Sequence, residues 1–469
     1  MVSESRNRYL LKNTLIFTLG NIGARMISFL LIPLYTNILT KSQYGTVDLI
    51  TTISTVAGPM LTLNIAESVM RFGLDKDADK EKNTQCGSIV LFSAMIIGLI
   101  LIPICRHVTE VSEYAMYVYF YVISLSASQL FLCDLRGKEL LLKYSLGNIL
   151  QTLMIAILFL LVLKMETGGY LLAYIIANFI VAVYAIIAGK DYKAFSFHNI
   201  DLYKLKEMVR YSVVLIPNTF MWWIMNSSDR VMVTYMVGAA ANGIYAVSYK
   251  LPTLVSTLTG IFNQAWSYSA IREEGTSDET EYNNKMFRTL AAIAFMMGIG
   301  LLLLAKPFLK IYVSDSYYDA WRYTPFLIIG CVYLTLGTFM ATSYTVHKDS
   351  FGYLFSGSFG AVFNILLNFI LVPVIGVYGA ALATCISYIA VFMFRVFHTR
   401  KYIKYDIWYK EFILGSLLMI LSAILMFVDD IKGFLFQLLI LVLGFAVFSK
   451  TWIPMLQFFL NKVRRKRVI

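Results

Sequence analysis

The chain has 469 residues, of which 58% are hydrophobic and 14% charged, with a formal net charge of +12 and a mean hydropathy of +0.69. A soluble globule of that length needs more polar residue to coat its surface, so the composition excludes a soluble domain and indicates an integral membrane protein. The positive charge requires no nucleic acid, because lysine and arginine gather in the connections between apolar runs.

Apolar runs of about 20 residues, enough to cross a roughly 30 Å hydrocarbon core, recur along the whole chain and leave no room for a separate soluble domain. Outer-membrane strands would be about 10 residues long with strict alternation, a pattern absent here, so the expected fold class is all-α with about 14 transmembrane helices. In chain order the spans are predicted at about 13–36, 45–70, 86–105, 113–134, 144–163, 169–189 and 211–234. A second set follows at about 243–270, 287–305, 322–346, 352–372, 377–397, 408–428 and 433–453. Arg25 interrupts the centre of the first span and no small-residue cleavage pattern follows, so this span is expected to stay as a helix.

Cations mark alternate connections. Arg71, Lys76, Lys80 and Lys82 follow the second span, Lys190 to Arg210 the sixth, Arg395 to Lys410 the twelfth, and Lys462 to Arg467 the last. The positive-inside rule then places both termini in the cytoplasm of a multi-pass plasma-membrane protein. The basic tail is expected to rest on anionic membrane lipids. Trp266, Trp321, Trp408 and Trp452 fall at expected span ends, where amphipathic rings prefer to lie, whereas Trp222 and Trp223 fall inside a span.

The chain repeats itself. Sliding residues 138–176 by 210 positions sets Lys138 on Lys348, Gly147 on Gly357 and Gly169 on Gly379, and a shift of 198 sets Gly45 on Gly243. Two six-helix lobes are therefore expected, 1–200 and 201–400, with two extra helices and the basic tail in 401–469. Six spans per lobe give both the same sense, so their pseudo-twofold axis lies along the membrane normal, an arrangement suited to alternating access. Pores and membrane enzymes need no such duplication, so the repeat points to a transporter.

Enzyme signatures are absent. There is no Gly-x-x-x-x-Gly-Lys-Ser/Thr loop, no His-Glu-x-x-His and no paired-cysteine metal spacing, so neither catalysis, cofactor nor metal is expected. His107, His198, His347 and His398 fall in separate connections as solvated residues, and Cys86, Cys105, Cys133, Cys331 and Cys385 imply no disulfide framework. The Asn-x-Ser at Asn226 lies inside a span and carries no glycan.

Charges within spans remain. At about 1.5 Å per residue, Arg25 lies roughly 18 Å along its helix, near the midplane, where an insertion cost of about 2.5 to 3.5 kcal/mol requires a cavity, a partner or a ligand. Asp229 and Arg230 come near the outer end of the seventh span and Lys250 enters the eighth, so Asp229 can pair with Lys250 across the turn, as a structural brace or as part of a transport site. Asp48, Glu67, Arg71, Asp134 and Arg272 sit close enough to boundaries to snorkel.

Three stretches carry a family resemblance: Phe29 to Gly45, Asp229 to Gly238 continuing through Gly243 to Pro252, and Gly376 to Ala383. Over residues 8–400 the chain resembles the Wzx-type polysaccharide-biosynthesis flippases of the multidrug/oligosaccharidyl-lipid/polysaccharide exporter superfamily. The resemblance implies translocation of an undecaprenyl-diphosphate-linked oligosaccharide from the cytoplasmic to the outer leaflet of a bacterial plasma membrane. It implies as partners this lipid-linked substrate and a polysaccharide polymerase with its chain-length machinery. For the diphosphate, Arg25 is the first candidate, since a guanidinium forks onto phosphate, and Arg71, Arg230, Lys250 and Arg272 are carried over as further candidates. The last two helices, by analogy with fourteen-span flippases, would hold the lipid tail.

Two alternatives stay open. A cation-coupled multidrug exporter shares the duplicated fold but needs acidic residues deep in its spans. A membrane glycan polymerase needs a sizeable outer loop, and the longest outer connection, about 306–321, is short.

Overall fold

The computed structural model of the protein describes residues 23, 26–75, 77–107, 112–162, 166–192, 200–407, 409–428 and 430–453. Arg25, His198, Trp408 and the tail from Lys462 to Arg467 lie outside them, as does the Arg272 side chain. Every regular element among the described residues is a helix. The chain divides into two compact units, unit 1 from Met1–Trp223 with Gly238–Gly243 and unit 2 from Ile224–Val237 with Ile244–Ile469.

Unit 1 contains α1 (Ile32–Ile38), α2 (Lys41–Leu61), α3 (Ile65–Gly73), α4 (Lys80–Cys105), α5 (Ala115–Gly137), α6 (Leu141–Leu161) and α7 (Glu166–Gly189). The chain passes between units within α8 (Leu202–Met236) and α9 (Ala239–Ser248). Unit 2 continues with α10 (Lys250–Arg272), α11 (Glu279–Tyr312), α12 (Thr324–Val346), α13 (Ser350–Ile375), α14 (Val377–His398), α15 (Lys410–Leu425) and α16 (Ile431–Val447). Among the described residues, eight helices, α4 to α7 and α11 to α14, are long and apolar enough to cross a membrane, or nine spans if α2 and α3 count as one bent span. The other expected spans coincide with the more polar α8 and α10, the 16- and 17-residue helices α15 and α16, or residues largely outside the description.

Local chemistry sets the ends. A capping box opens α2: Thr40 Oγ1 accepts from the Gln43 amide N–H at 3.3 Å, and Gln43 Oε1 accepts from the Thr40 N–H at 2.9 Å. The expected continuous span over 45–70 breaks instead, because Leu63 and Asn64 take left-handed backbone angles of φ 53° and 55°, and α3 leaves at 62° to α2. The Asn64 N–H donates to Pro59 O at 2.6 Å and so closes α2.

The α5–α6 and α12–α13 turns share one closure. In the first, Leu140 N–H reaches back to Leu135 O at 2.8 Å around the positive-φ Glu139; in the second, Asp349 N–H reaches Tyr344 O at 2.8 Å around the positive-φ Lys348. Glu139 and Lys348 are therefore equivalent, so the repeat at this turn runs one residue out of register with the 210-residue match of Lys138 to Lys348.

In unit 1 the core is centred on α5, where Leu130, Phe131 and Leu135 pack with Ile65 and Val69 of α3, Val90 of α4 and Val181 of α7. Asn242 and Gly243 belong to the same unit. A Cβ on Gly45 would fall 1.8 Å from Ala239 O, and one on Gly243 would fall 2.1 Å from Lys41 O. The 198-residue match thus corresponds to a reciprocal crossing of two helix starts, which only glycine permits at this separation. In unit 2, α12 is the central helix, and Trp266 is buried against it, stacked on Phe339 at 4.7 Å.

Candidate functional site

Unit 1 contains a cavity of about 660 Å³ at the break between α2 and α3. Pro59, Asn64, Ala66 and Glu67 form the wall at the break; Leu125, Ser128, Gln129, Leu132 and Cys133 come from α5, Tyr144, Asn148 and Gln151 from α6, and Leu215, Asn218 and Thr219 from α8. Discontinuous membrane helices are where transporters place their sites, since unwound backbone at membrane depth is tolerated only against protein or a wet cavity. Five carboxamides supply donors and acceptors together, and no lysine or arginine lines the space. Gln151 donates through Nε2 to Asn178 Oδ1 at 2.5 Å, which fixes the Gln151 amide. Such a lining suits a polyhydroxyl ligand better than a phosphate.

Unit 2 holds a second polar cluster, around Asp229, which is 2% exposed. Its Oδ2 accepts from Tyr245 Oη at 2.6 Å, Tyr249 Oη at 2.7 Å and Thr384 Oγ1 at 3.1 Å, and its Oδ1 accepts from the Arg230 N–H at 2.9 Å. Arg230 lies with Cζ 5.1 Å from the centre of the Tyr249 ring, a cation–π placement. Asn364 donates to Thr384 Oγ1 at 3.4 Å and accepts from Asn368 Nδ2 at 3.0 Å, which extends the network along α13. One carboxylate among amide and hydroxyl oxygens is a donor set for a hard cation, not a transition metal. Among the described residues no group of three or more His, Cys, Asp or Glu side chains converges as a metal site.

Several expected residues change role. Lys250 is not among the partners of Asp229; three hydroxyls take that place, because Tyr245 and Tyr249 lie on successive turns facing the carboxylate. Arg71 is exposed and bonds Asp75 at 2.6 Å, one turn further along. Asp229 and Arg230 share a cluster, Arg71 belongs to unit 1, and Arg25 and the Arg272 side chain lie outside the described residues.

Asp48 and Asp134 do not snorkel, since both are buried. Asn242 Nδ2 donates to Asp48 Oδ2 at 3.3 Å, and Asp134 lies 2.7 Å from Lys138 Nζ, which also holds Asp191. Arg395, read from sequence as a loop cation, is 0% exposed and donates to Gly337 O at 3.0 Å and Ser356 Oγ at 3.2 Å, pinning α14 to α12 and α13. His398 is likewise engaged, its Nδ1 2.9 Å from Tyr344 Oη.

The carboxamides of unit 1 and the Asn364–Asn368 pair escape a reading based on charge. Their available signal is polar residues at i, i+3 or i+4 within apolar runs, as in Asn148–Gln151 and Asn364–Asn368.

Residues 10–271 match the family model described as Polysaccharide biosynthesis protein, which covers more than half of the chain. An uncharacterised membrane protein of Methanocaldococcus jannaschii is 24% identical over 251 residues, a match that spans 48% of each chain. Among solved structures, the lipid II flippase MurJ in an inward closed conformation superposes with a TM-score of 0.67 at 16% identity, over 94% of this chain and 99% of that one. An inward-facing multidrug resistance MATE family transporter of the MOP superfamily gives 0.61 at 12% identity, over 87% and 95%. A MOP superfamily transporter from Pyrococcus furiosus, described as having a binding pocket of reverse polarity, gives 0.52 at 13%, over 88% and 95%. These likenesses establish a shared all-α membrane fold, seen in transporters and flippases.

Proposed function

The chain belongs to the polysaccharide biosynthesis protein family, and on that premise we propose that it flips undecaprenyl-diphosphate-linked oligosaccharides from the cytoplasmic to the outer leaflet of a bacterial plasma membrane. The carboxamide-lined cavity at the broken span of unit 1 is the observation that supports this reading. It offers many hydrogen bonds and no cation, which suits the sugar part of such a substrate. The shared fold with a lipid II flippase agrees with a lipid-linked cargo.

In this reading the diphosphate meets cations elsewhere: Arg25 first, then Lys250, Arg230, Arg71 and Arg272. Alternating access moves the substrate through two six-helix lobes, 1–200 and 201–400, while 401–469 adds two helices and a tail on anionic lipids. Both termini face the cytoplasm, and a polysaccharide polymerase with chain-length machinery takes the product.

Purified protein in liposomes should render a short-chain lipid-diphosphate oligosaccharide accessible to a membrane-impermeant glycosidase. Arg25→Ala should remove that activity without loss of protein, and Arg25→Lys should recover only part of it. Absence of flipping by a stably folded wild type overturns the reading. Reporter fusions after Lys143 and Lys206 should read as cytoplasmic and one near Lys164 as external. A second reading, a cation-coupled multidrug exporter, draws on the acidic Asp229 and Glu67 placed inside the units. Ethidium export driven by an ion gradient, with no flipping, would select it.

A further inference from the structure

We infer that Glu67 sets the charge class of saccharide that the unit 1 cavity accepts, admitting neutral and amine-bearing sugars and turning away uronic and other carboxylate sugars. The inference rests on reading this cavity as a saccharide site. Glu67 brings the one carboxyl group of the lining, the others being carboxamides, hydroxyls, a thiol and apolar groups.

The carboxylate has no structural task that occupies it. Glu67 is the third residue of α3, where a glutamate usually reaches back to the N–H of the preceding cap residue, Asn64. That N–H already donates to Pro59 O at 2.6 Å. Arg71, one turn along the same helix face, is the natural partner for an i, i+4 pair, yet it is bound to Asp75 at 2.6 Å. Among the described residues the Glu67 side chain has neither a hydrogen bond nor an ion pair. The helix dipole favours an anion on this first turn, which accounts for a carboxylate at the position but not for its place in the cavity wall.

The remaining lining cannot select by charge. Gln129, Asn148, Gln151 and Asn218 each present a donor and an acceptor, so they recognise hydroxyl and acetamido groups with little regard to ionisation. A single fixed charge within about 6 Å of the ligand, at an effective dielectric near 20, discriminates between ligands differing by one charge by roughly tenfold to a hundredfold. The sign of Glu67 makes the disfavoured ligand the anionic one; Arg136 hydrogen-bonds the lining thiol of Cys133 but does not itself line the cavity.

The test measures binding to the purified full-length protein by calorimetry, with three soluble probes: the trimer of N-acetylglucosamine, the trimer of glucosamine and the trimer of galacturonic acid. Wild type should bind the first two at least about tenfold tighter than the galacturonate trimer. Glu67→Gln should bring galacturonate to within about threefold of the neutral trimer, at an unaltered melting temperature. Galacturonate bound by wild type as tightly as the neutral trimer, or an unchanged ratio in Glu67→Gln, overturns the inference and leaves the saccharide reading standing. No binding of any probe to well-folded wild type removes the saccharide reading of the cavity and this inference with it.

Discussion

Unit 1 and unit 2 treat polar groups in opposite ways. Unit 1 interrupts a span at Leu63 and Asn64 and leaves amides and a carboxylate facing a cavity. At the 198-residue shift those positions correspond to Ile261 and Phe262, inside the unbroken α10. In unit 2 the helix is interrupted at Tyr249, whose backbone keeps helical angles (φ −74°, ψ −15°), and Tyr245 and Tyr249 close on Asp229, so this carboxylate is satisfied from within the unit. Where a membrane helix breaks thus decides whether its polar residues become a site open to ligand or an internal brace.

The largest effect that would test this contrast comes from Asp229→Ala. It leaves the buried hydroxyls of Tyr245 and Tyr249 without their acceptor, and at about 1 to 3 kcal/mol for each stranded group the loss should be about 4 kcal/mol, read as a lower melting temperature and abundance. Glu67→Ala should change stability by no more than about 0.5 kcal/mol, because its side chain satisfies no protein group. Equal losses for the two variants would erase the distinction between brace and site.

Next come the crossing glycines. Gly45→Ala and Gly243→Ala each drive a methyl into backbone, not into a flexible side chain, and should each cost about 3 kcal/mol in thermal unfolding. A tolerated alanine at either position would mean that the helix starts can move apart.

A smaller gain is expected at the break itself. Leu63 is a leucine in the left-handed region, so Leu63→Gly should relieve strain and raise stability by about 0.5 to 1 kcal/mol, while Asn64→Gly changes less because asparagine tolerates that region. Destabilisation by Leu63→Gly would argue for a continuous span, as the hydropathy alone suggests.

The smallest effect is a pH dependence confined to unit 1. Burial pushes the Asp191 carboxyl up to about 7, the Asp134 carboxylate beside it adds to the rise, and Lys138 opposes it. A carboxyl whose folded value exceeds its unfolded value of about 3.9 holds its proton in the folded state, so its contribution is fully present below about pH 4 and is lost as pH rises through about 7. Melting temperature should therefore fall between these limits and level off above them. Asp191→Asn should flatten the profile; an unchanged slope would place the titration elsewhere. In unit 2 the equivalent connection behaves oppositely, since the Lys401 ammonium on Asp349 holds that carboxyl down at about 2.

Much of the helix order is legible without coordinates, because the length of an apolar run is a local property and a bilayer admits few structures that satisfy their own backbone. Gly45 and Gly243 were legible as a repeat, though not as a contact. The predicted pairing of Asp229 with Lys250 was plausible from proximity in the chain, but the carboxylate found the hydroxyls of Tyr245 on α9 and Tyr249 just after it, and a third, Thr384, 155 positions away. Arg395 looked like one more loop cation because only its neighbours in sequence were visible; its acceptors come from α12 and α13.

The sequence by itself determined the all-α membrane class and much of the succession of helices, since these depend on hydrophobic length along the chain. Only the tertiary structure decided that the second span breaks, that Asp229 is held by three hydroxyls and that Glu67 stands in a cavity wall without a hydrogen bond or ion pair of its side chain. The physical reason is that a polar side chain's role in a membrane protein depends on what faces it. Pro59 takes the N–H that would have engaged Glu67, and Asp75 takes the arginine, and neither choice is written in the apolar pattern of the span.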